Sequence, residues 1–154
     1  MLPENTRAFR SETGFTLVEL LITVAVIGVI SAIAIPSLLD ALDRSKQSDT
    51  MGTIRNLSLA IEAYNADYSR LPATGLTPDQ LAAALATGGM FDHVDAHDGW
   101  GFPLVYTSDG DHYTVEAYCK DGADGPANIT PATRHDYVND IILKDGQFTA
   151  SPES

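Results

Sequence analysis

The chain has 154 residues, a formal net charge of -12 and a hydrophobic content of 44%. That length allows one modest domain beyond any membrane segment, and the acidity argues against a phosphate-backbone partner, which needs lysine and arginine. The single cysteine, Cys119, excludes an intramolecular disulfide, so a small secreted domain is left with a metal as its other common support.

Residues 1–14 are hydrophilic, and Arg7 and Arg10 balance Glu4 and Glu12 there, so the net acidity belongs to the rest of the chain. An apolar run then reaches Leu39 with Glu19 as its one charged residue. As a helix, Phe15 to Leu39 would be roughly 37 Å long at about 1.5 Å per residue, enough to cross a hydrocarbon core of about 30 Å with some tilt. The run is rich in β-branched residues, yet helix is required in lipid, where backbone groups find no water. Gly28 and Pro36 are its expected weak points, since proline removes a hydrogen bond and kinks or melts the preceding turn. No A-x-A cleavage pattern stands after the run. The change in character falls before it, at Gly14/Phe15. Arginines before the span, with Asp40 and Asp43 after it, favour a cytoplasmic N-terminus, although Arg44 and Lys46 also lie beyond it.

Past Pro36 the helical pattern resumes. Ile54, Leu57, Ile61, Tyr64 and Tyr68 form an apolar stripe at helical spacing, and Arg70-Leu71-Pro72 ends it. Thr77 and Pro78 predict the cap and first residue of a short helix through Leu81 to Ala86, closed by Gly88-Gly89. Strands are predicted over Phe102 to Thr107 and His112 to Lys120, joined through Ser108-Asp109-Gly110-Asp111. Residues 121–136 read as an irregular loop. Val138 to Leu143 and Gln147 to Thr149 form a last hairpin across Asp145-Gly146. The fold class is therefore α+β: a long N-terminal helix on a small antiparallel sheet.

Gly14-Phe15-Thr16-Leu17-Val18-Glu19, after a polar leader and before an apolar helix, resembles the class III signal of type IV prepilins and type II secretion pseudopilins. Tyr68-Ser69-Arg70-Leu71-Pro72, the segment Asp98-Gly99-Trp100-Gly101-Phe102-Pro103-Leu104-Val105-Tyr106 and the late Asn139-Asp140-Ile141 are similar to the major, G-type pseudopilin. These matches touch most of the chain and are dense in residues 11–39 and 98–106. Leu71 stands where an aromatic residue is usual, Asn139 replaces an aspartate, and the loop before it is longer than usual. The resemblance implies a pilin fold with a C-terminal metal-binding-type loop. It implies removal of residues 1–14 by a prepilin peptidase, cutting between Gly14 and Phe15, and N-methylation of Phe15. Residues 15–39 would be the transmembrane and assembly helix, and 40–154 the head. Pro36 falls where many members carry a helix-breaking proline. The implied calcium ligands are Asp121, Asp124, Asn139 and Asp140.

The residues themselves bear on each site. A carboxylate in hydrocarbon must be neutralised or paired, so Glu19 either pairs with the Phe15 amine of a neighbouring subunit or snorkels to the interface. Asp121, Asp124, Asp136, Asn139 and Asp140 offer the oxygen ligands that calcium takes. Their spacing is not that of an EF-hand, and the alternative is a solvated loop of turn-forming aspartates. His93 and His97 among Asp92, Asp95 and Asp98 read as polar surface, Asn128-Ile129-Thr130 is a short and common sequon, and Cys119 reads as a half-buried strand residue. No nucleophile elbow, zincin, phosphate-loop or Cys-His signature occurs.

The expected protein is not an enzyme. It is a filament subunit, most simply the major pseudopilin of a type II secretion system. Its partners would be further copies of itself, minor pseudopilins, an inner-membrane assembly platform with its ATPase, and prepilin peptidase, with no nucleic acid. The chain would sit in the inner membrane as a single pass, N-terminus cytoplasmic and head periplasmic. Two alternatives stay open: a type IV pilin or minor pilin for adhesion, motility or DNA uptake, and a membrane-anchored enzyme or sensor.

Overall fold

A computed structural model describes residues 14–86, 95–125 and 137–151. Helix α1 runs Leu17–Tyr68 and α2 Pro78–Ala86, succeeded by strands β1 (Val105–Ser108), β2 (Tyr113–Ala117), β3 (Ile141–Lys144) and β4 (Gln147–Ala150). A 3-10 turn, Cys119–Asp121, comes after β2. The chain divides at Leu38/Leu39 into two compact units.

In the first unit α1 presents apolar side chains on every side, and no residue from 14 through 46 is buried. Helix is the form in which such a segment satisfies its own backbone. It runs 52 residues and carries Pro36 inside the helix, so the helical pattern continues past the proline as its spacing predicts.

In the second unit the same helix becomes one-sided. Met51, Ile54, Leu57, Ala60 and Ile61 are buried, and Leu59 on another face is exposed. Tyr64 packs against the core, whereas Tyr68 is exposed and stacks on Tyr64 with ring centroids 4.5 Å apart. Ser69, at φ 51°, turns the chain out of the helix. Buried Tyr106 donates its hydroxyl to the Pro72 carbonyl (3.0 Å), which fastens the next turn to the sheet. Thr77 caps α2 reciprocally with Gln80: the Gln80 amide donates to Thr77 Oγ1 (3.3 Å) and the Thr77 amide to Gln80 Oε1 (3.1 Å).

The four strands lie in the order β1-β2-β3-β4, all neighbours antiparallel. The inward residues Tyr106, Tyr113, Val115, Ala117, Ile141 and Leu143 share one core with the α1 stripe and with Leu81 and Leu85 of α2. The hydroxyls of Tyr113 and Ser58 meet at 2.7 Å, and Tyr113 also donates to Glu62 (3.1 Å). Asp145 (φ 47°) and Gly146 (φ 80°) make the β3–β4 turn.

The segment before β1 is anchored on α1 by a backbone approach. Gly99 donates to Thr50 Oγ1 (2.9 Å), and a Cβ at Gly99 would collide with the Lys46 carbonyl, so only glycine fits. Asp98 Oδ1 accepts from the amides of Trp100 (2.9 Å) and Phe102 (2.8 Å), which shapes the turn around that contact.

The α+β class and hairpin order match the sequence reading, while strand limits differ. β2 stops at Ala117 rather than Lys120 because Cys119, at φ 53°, turns the chain into the 3-10 helix. Cys119 is therefore a fully buried turn residue, not a half-buried strand residue. β3 begins at Ile141 rather than Val138, since Asp140 is held by the Gly125 amide. Gly88-Gly89, His93 and the Asn128 sequon lie outside the described residues.

Candidate functional site

Two features carry chemistry, and the first is the start of α1. Thr16 and Glu19 form a capping box: the Thr16 amide and hydroxyl donate to Glu19 Oε2 (2.9 and 2.7 Å), and the Glu19 amide donates to Thr16 Oγ1 (3.2 Å). Within one chain, then, the acid in the apolar run satisfies the first turn of the helix. The pattern Thr-x-x-Glu before an apolar run is the sequence signal for it, and the sequence reading passed over it. From Phe15 to Leu39 the side chains around this cap are exposed hydrocarbon, in a helix long and apolar enough to cross a membrane. Gly14 and Phe15 precede the helix as exposed residues.

The second feature lies on the sheet face opposite the core. After β2 the 3-10 turn leads into Gly122, at φ 62°, whose Cα packs so close to the Phe102 ring that a Cβ would collide with it. Asp121 Oδ1 accepts from the Ala123 amide (3.3 Å), the turn-forming role open to an aspartate there. Gly125 donates its amide to Asp140 Oδ2 (2.9 Å), bringing the end of this turn to the residue before β3. As a result, ligand oxygens of Glu116, Asp124 and Asp140 lie within 4.8 Å of one another.

Of the residues named from sequence, Asp124 and Asp140 converge, and Asp121 stands beside them in the turn. Asn139 adjoins Asp140 as a partly buried residue, and Asp136 lies outside the described residues. Glu116 was missed because an outward glutamate on a strand looks like ordinary solvated surface.

The electrostatics of the cluster are unfavourable to the bare carboxylates. Burial, then the charges of Asp140 and Asp124, push the Glu116 carboxyl above its ordinary pKa. Burial also raises Asp140, reinforced by Asp121 and Asp124 and opposed by the Gly125 amide. Asp140 is 6% exposed, and its Oδ1 is buried with no hydrogen-bond partner among the described residues. An orphaned buried carboxylate oxygen beside two further carboxylates is the donor set that a hard divalent cation satisfies. Two oxygens bound to one calcium at about 2.4 Å can stand no more than about 4.8 Å apart. The residues present therefore fit calcium.

The flanks of this cluster are tied to the first turns of α1 beyond Leu39. Lys120 Nζ pairs with Asp43 Oδ2 (2.7 Å), and Tyr137 donates its hydroxyl to Asp40 Oδ1 (2.5 Å). The Lys120 amide donates to the Tyr137 carbonyl (3.0 Å), linking the two ties. His97, by contrast, meets Asp95 across an exposed 3.3 Å side-chain contact, and Asp98, read from sequence as surface, is buried under the turn it shapes.

A capped helix start with one acid in an otherwise apolar run, followed by a small α+β head, is the pattern of the type IV pilin-like class, and residues 9–35 match the Prokaryotic N-terminal methylation motif. Residues 37–136 match the family of Type II secretion system (T2SS), protein G, and the chain belongs to that family. A Type II secretion system core protein G from Vibrio cholerae serotype O1 is 30% identical over 131 residues, covering 77% of this chain and 86% of that one. The core protein G of Aeromonas hydrophila is 25% identical over 147 residues, 90% of this chain and 98% of the relative. A type IV major pilin protein PilA from Myxococcus xanthus is 42% identical over 57 residues, 37% of this chain and 26% of that protein. No solved structure gives a significant match to the chain.

Proposed function

We propose that this chain is the major pseudopilin of a type II secretion system, a structural subunit that polymerises through its N-terminal helix. The observation that carries this reading is the exposed hydrocarbon of α1 from Phe15 to Leu39. Such a surface is stable only in lipid or against similar helices. The family relationship names the assembly in which those helices meet.

Processing between Gly14 and Phe15 frees an amino group within about one helical turn of Glu19. In a filament that amine, N-methylated on Phe15, pairs with the Glu19 carboxylate of a neighbouring copy, which sets the axial register. An unpaired charge in hydrocarbon favours incorporation, because pairing offsets part of its desolvation cost. Residues 15–39 are the membrane anchor before assembly, with the N-terminus cytoplasmic and residues 40–154 forming a periplasmic head. Pro36 gives the anchor a site at which to yield during extraction. Minor pseudopilins, an inner-membrane platform with its ATPase and prepilin peptidase are the partners this requires. The chain acts by assembly and not as an enzyme.

Calcium is the ion proposed for the head. Asp124 and Asp140 would hold it, with Asp121 adding charge nearby, and the neighbouring Asn139 supplies an amide oxygen to the same region. The ion's role is to neutralise the cluster and hold the turn of residues 121–125 against the start of β3.

The test is electron microscopy of filaments formed when the full chain is expressed with its secretion apparatus. Wild-type protein yields filaments and Glu19→Ala yields none, with normal membrane levels of the variant. Ordinary filaments from Glu19→Ala would sink the pairing mechanism, and no filaments from the wild type would sink the assembly reading.

A further inference from the structure

Strand β2 alternates strictly, with Tyr113, Val115 and Ala117 in the core and Thr114 and Glu116 on the other face. A glutamate in such a position ordinarily faces water and does no more. Three observations set Glu116 apart. The antiparallel register pairs it with Ile142, which brings Asp140, the residue just before β3, near it along the neighbouring chain. The turn after the 3-10 helix carries Asp124 over that face, so that the three carboxylates converge within 4.8 Å. Asp140 then presents a buried Oδ1 that has no partner among the described residues, while its Oδ2 is occupied by the Gly125 amide. Like charges so placed repel, and a buried unpaired oxygen carries its full desolvation cost. One cation bridging all three removes both penalties.

We propose that Glu116 is a ligand of the same calcium ion as Asp124 and Asp140, so that the ion fastens the turn of residues 121–125 to the middle of the sheet. The inference rests on the proposed calcium site and changes its nature. A site built from Asp121, Asp124, Asn139 and Asp140 alone joins the turn after β2 to the residues just before β3. A site that includes Glu116 joins the turn after β2, the residue before β3 and the strand between β1 and β3. Three formal negative charges around one ion also favour tighter binding than two, since calcium affinity depends on the number of charged ligands.

The experiment uses the full chain in mild detergent. Calcium chloride against a chelator gives the melting midpoint, and terbium(III) titration gives affinity through luminescence sensitised by Tyr118, whose phenol feels the charges of Asp124, Glu116 and Asp140. Wild-type protein is expected to melt higher in calcium and to bind terbium. Asp140→Asn should lose both responses. Glu116→Gln should weaken terbium binding about 10-fold or more, while melting in chelator at or above the wild-type midpoint, because it relieves repulsion. Binding of wild-type strength by Glu116→Gln, with Asp140→Asn defective, would overturn the role of Glu116 and leave the calcium site standing. Absence of any calcium or terbium response in the wild type would overturn both. Should Glu116→Gln not fold, the carboxyl carbon shift of Glu116 in wild-type protein decides: it moves on calcium addition if Glu116 is a ligand, and an unmoved signal overturns the proposal.

Discussion

Cys119 illustrates how much one residue's neighbours change its chemistry. It sits at the start of the 3-10 turn, fully buried, with its Sγ directed to the Ala117 carbonyl at 3.6 Å. Burial, helped by the charge of Asp98, pushes its thiol pKa up to about 12. Since the thiolate is the reactive form, folded protein should resist iodoacetamide at pH 8 and react only once denatured, as mass spectrometry will report. Asp145 shows the opposite sense. The Tyr113 amide (2.9 Å), with His112 at 2.9 Å, holds its carboxyl below the usual range. A lowered native pKa contributes stability above the unfolded value of about 3.9, and that contribution is lost as pH falls through the native value. Asp145→Asn should therefore cost about 1 kcal/mol or less near neutrality, as an exposed pair allows. In paired denaturant titrations the gap should close below about pH 4. Neither environment is visible in the sequence, where Cys119 looks like a strand residue and Asp145 like half of a turn.

The long helix does two jobs because its pattern changes partway. From Phe15 to Leu39 apolar residues point to every side, and beyond Gln47 the buried apolar positions fall on one side. A helix uniformly apolar needs a surrounding apolar medium, whereas a one-sided helix needs a sheet. The join between helix and sheet is partly polar. Ser58, Tyr113 and Glu62 share one hydrogen-bonded group, with the Tyr113 hydroxyl in the middle. Burial raises the Tyr113 pKa to about 12, so the hydroxyl stays protonated and able to donate. Tyr113→Phe leaves Ser58 without its buried partner and should lower unfolding stability by about 1–2 kcal/mol in chemical denaturation. Element types were legible from periodicity, and the cap at Thr77 and the turn at Asp145-Gly146 were legible from local turn chemistry. Strand ends were not legible. Ala117 ends β2 because a left-handed Cys119 comes soon after it, and Asp140 is diverted by Gly125, a residue 15 positions earlier in the chain.

At the scale of the whole molecule, the Glu116–Asp124–Asp140 cluster is a local concentration of negative charge, and among the described residues its carboxylates push one another's pKa up. An ion that binds the folded head and not the unfolded chain stabilises it by about 2.7 kcal/mol at 100 times its Kd. For a chain of this size that corresponds to several degrees in the melting midpoint. Addition of a calcium chelator should produce a drop of this order in a thermal melt of the full chain, and restoring calcium should reverse it. The ties from Lys120 to Asp43 and from Tyr137 to Asp40 place the effect next to the helix that enters the head. Amide exchange on residues 40–47 should then speed up with that of residues 119–125 when calcium is removed.

By itself the sequence determined the apolar stem, its lone acid and the α+β class, because each is written in residues close together in the chain. Periodicity, charge and turn chemistry act over a few residues and need no knowledge of the rest. The tertiary structure alone decided that Gly99 must lie against the Lys46 carbonyl, that Cys119 is buried in a turn, and that Glu116 faces Asp124 and Asp140. Those facts depend on strand register and on where a loop returns. They are settled by packing the sheet on α1, which brings residues far apart in sequence to within ångströms of one another.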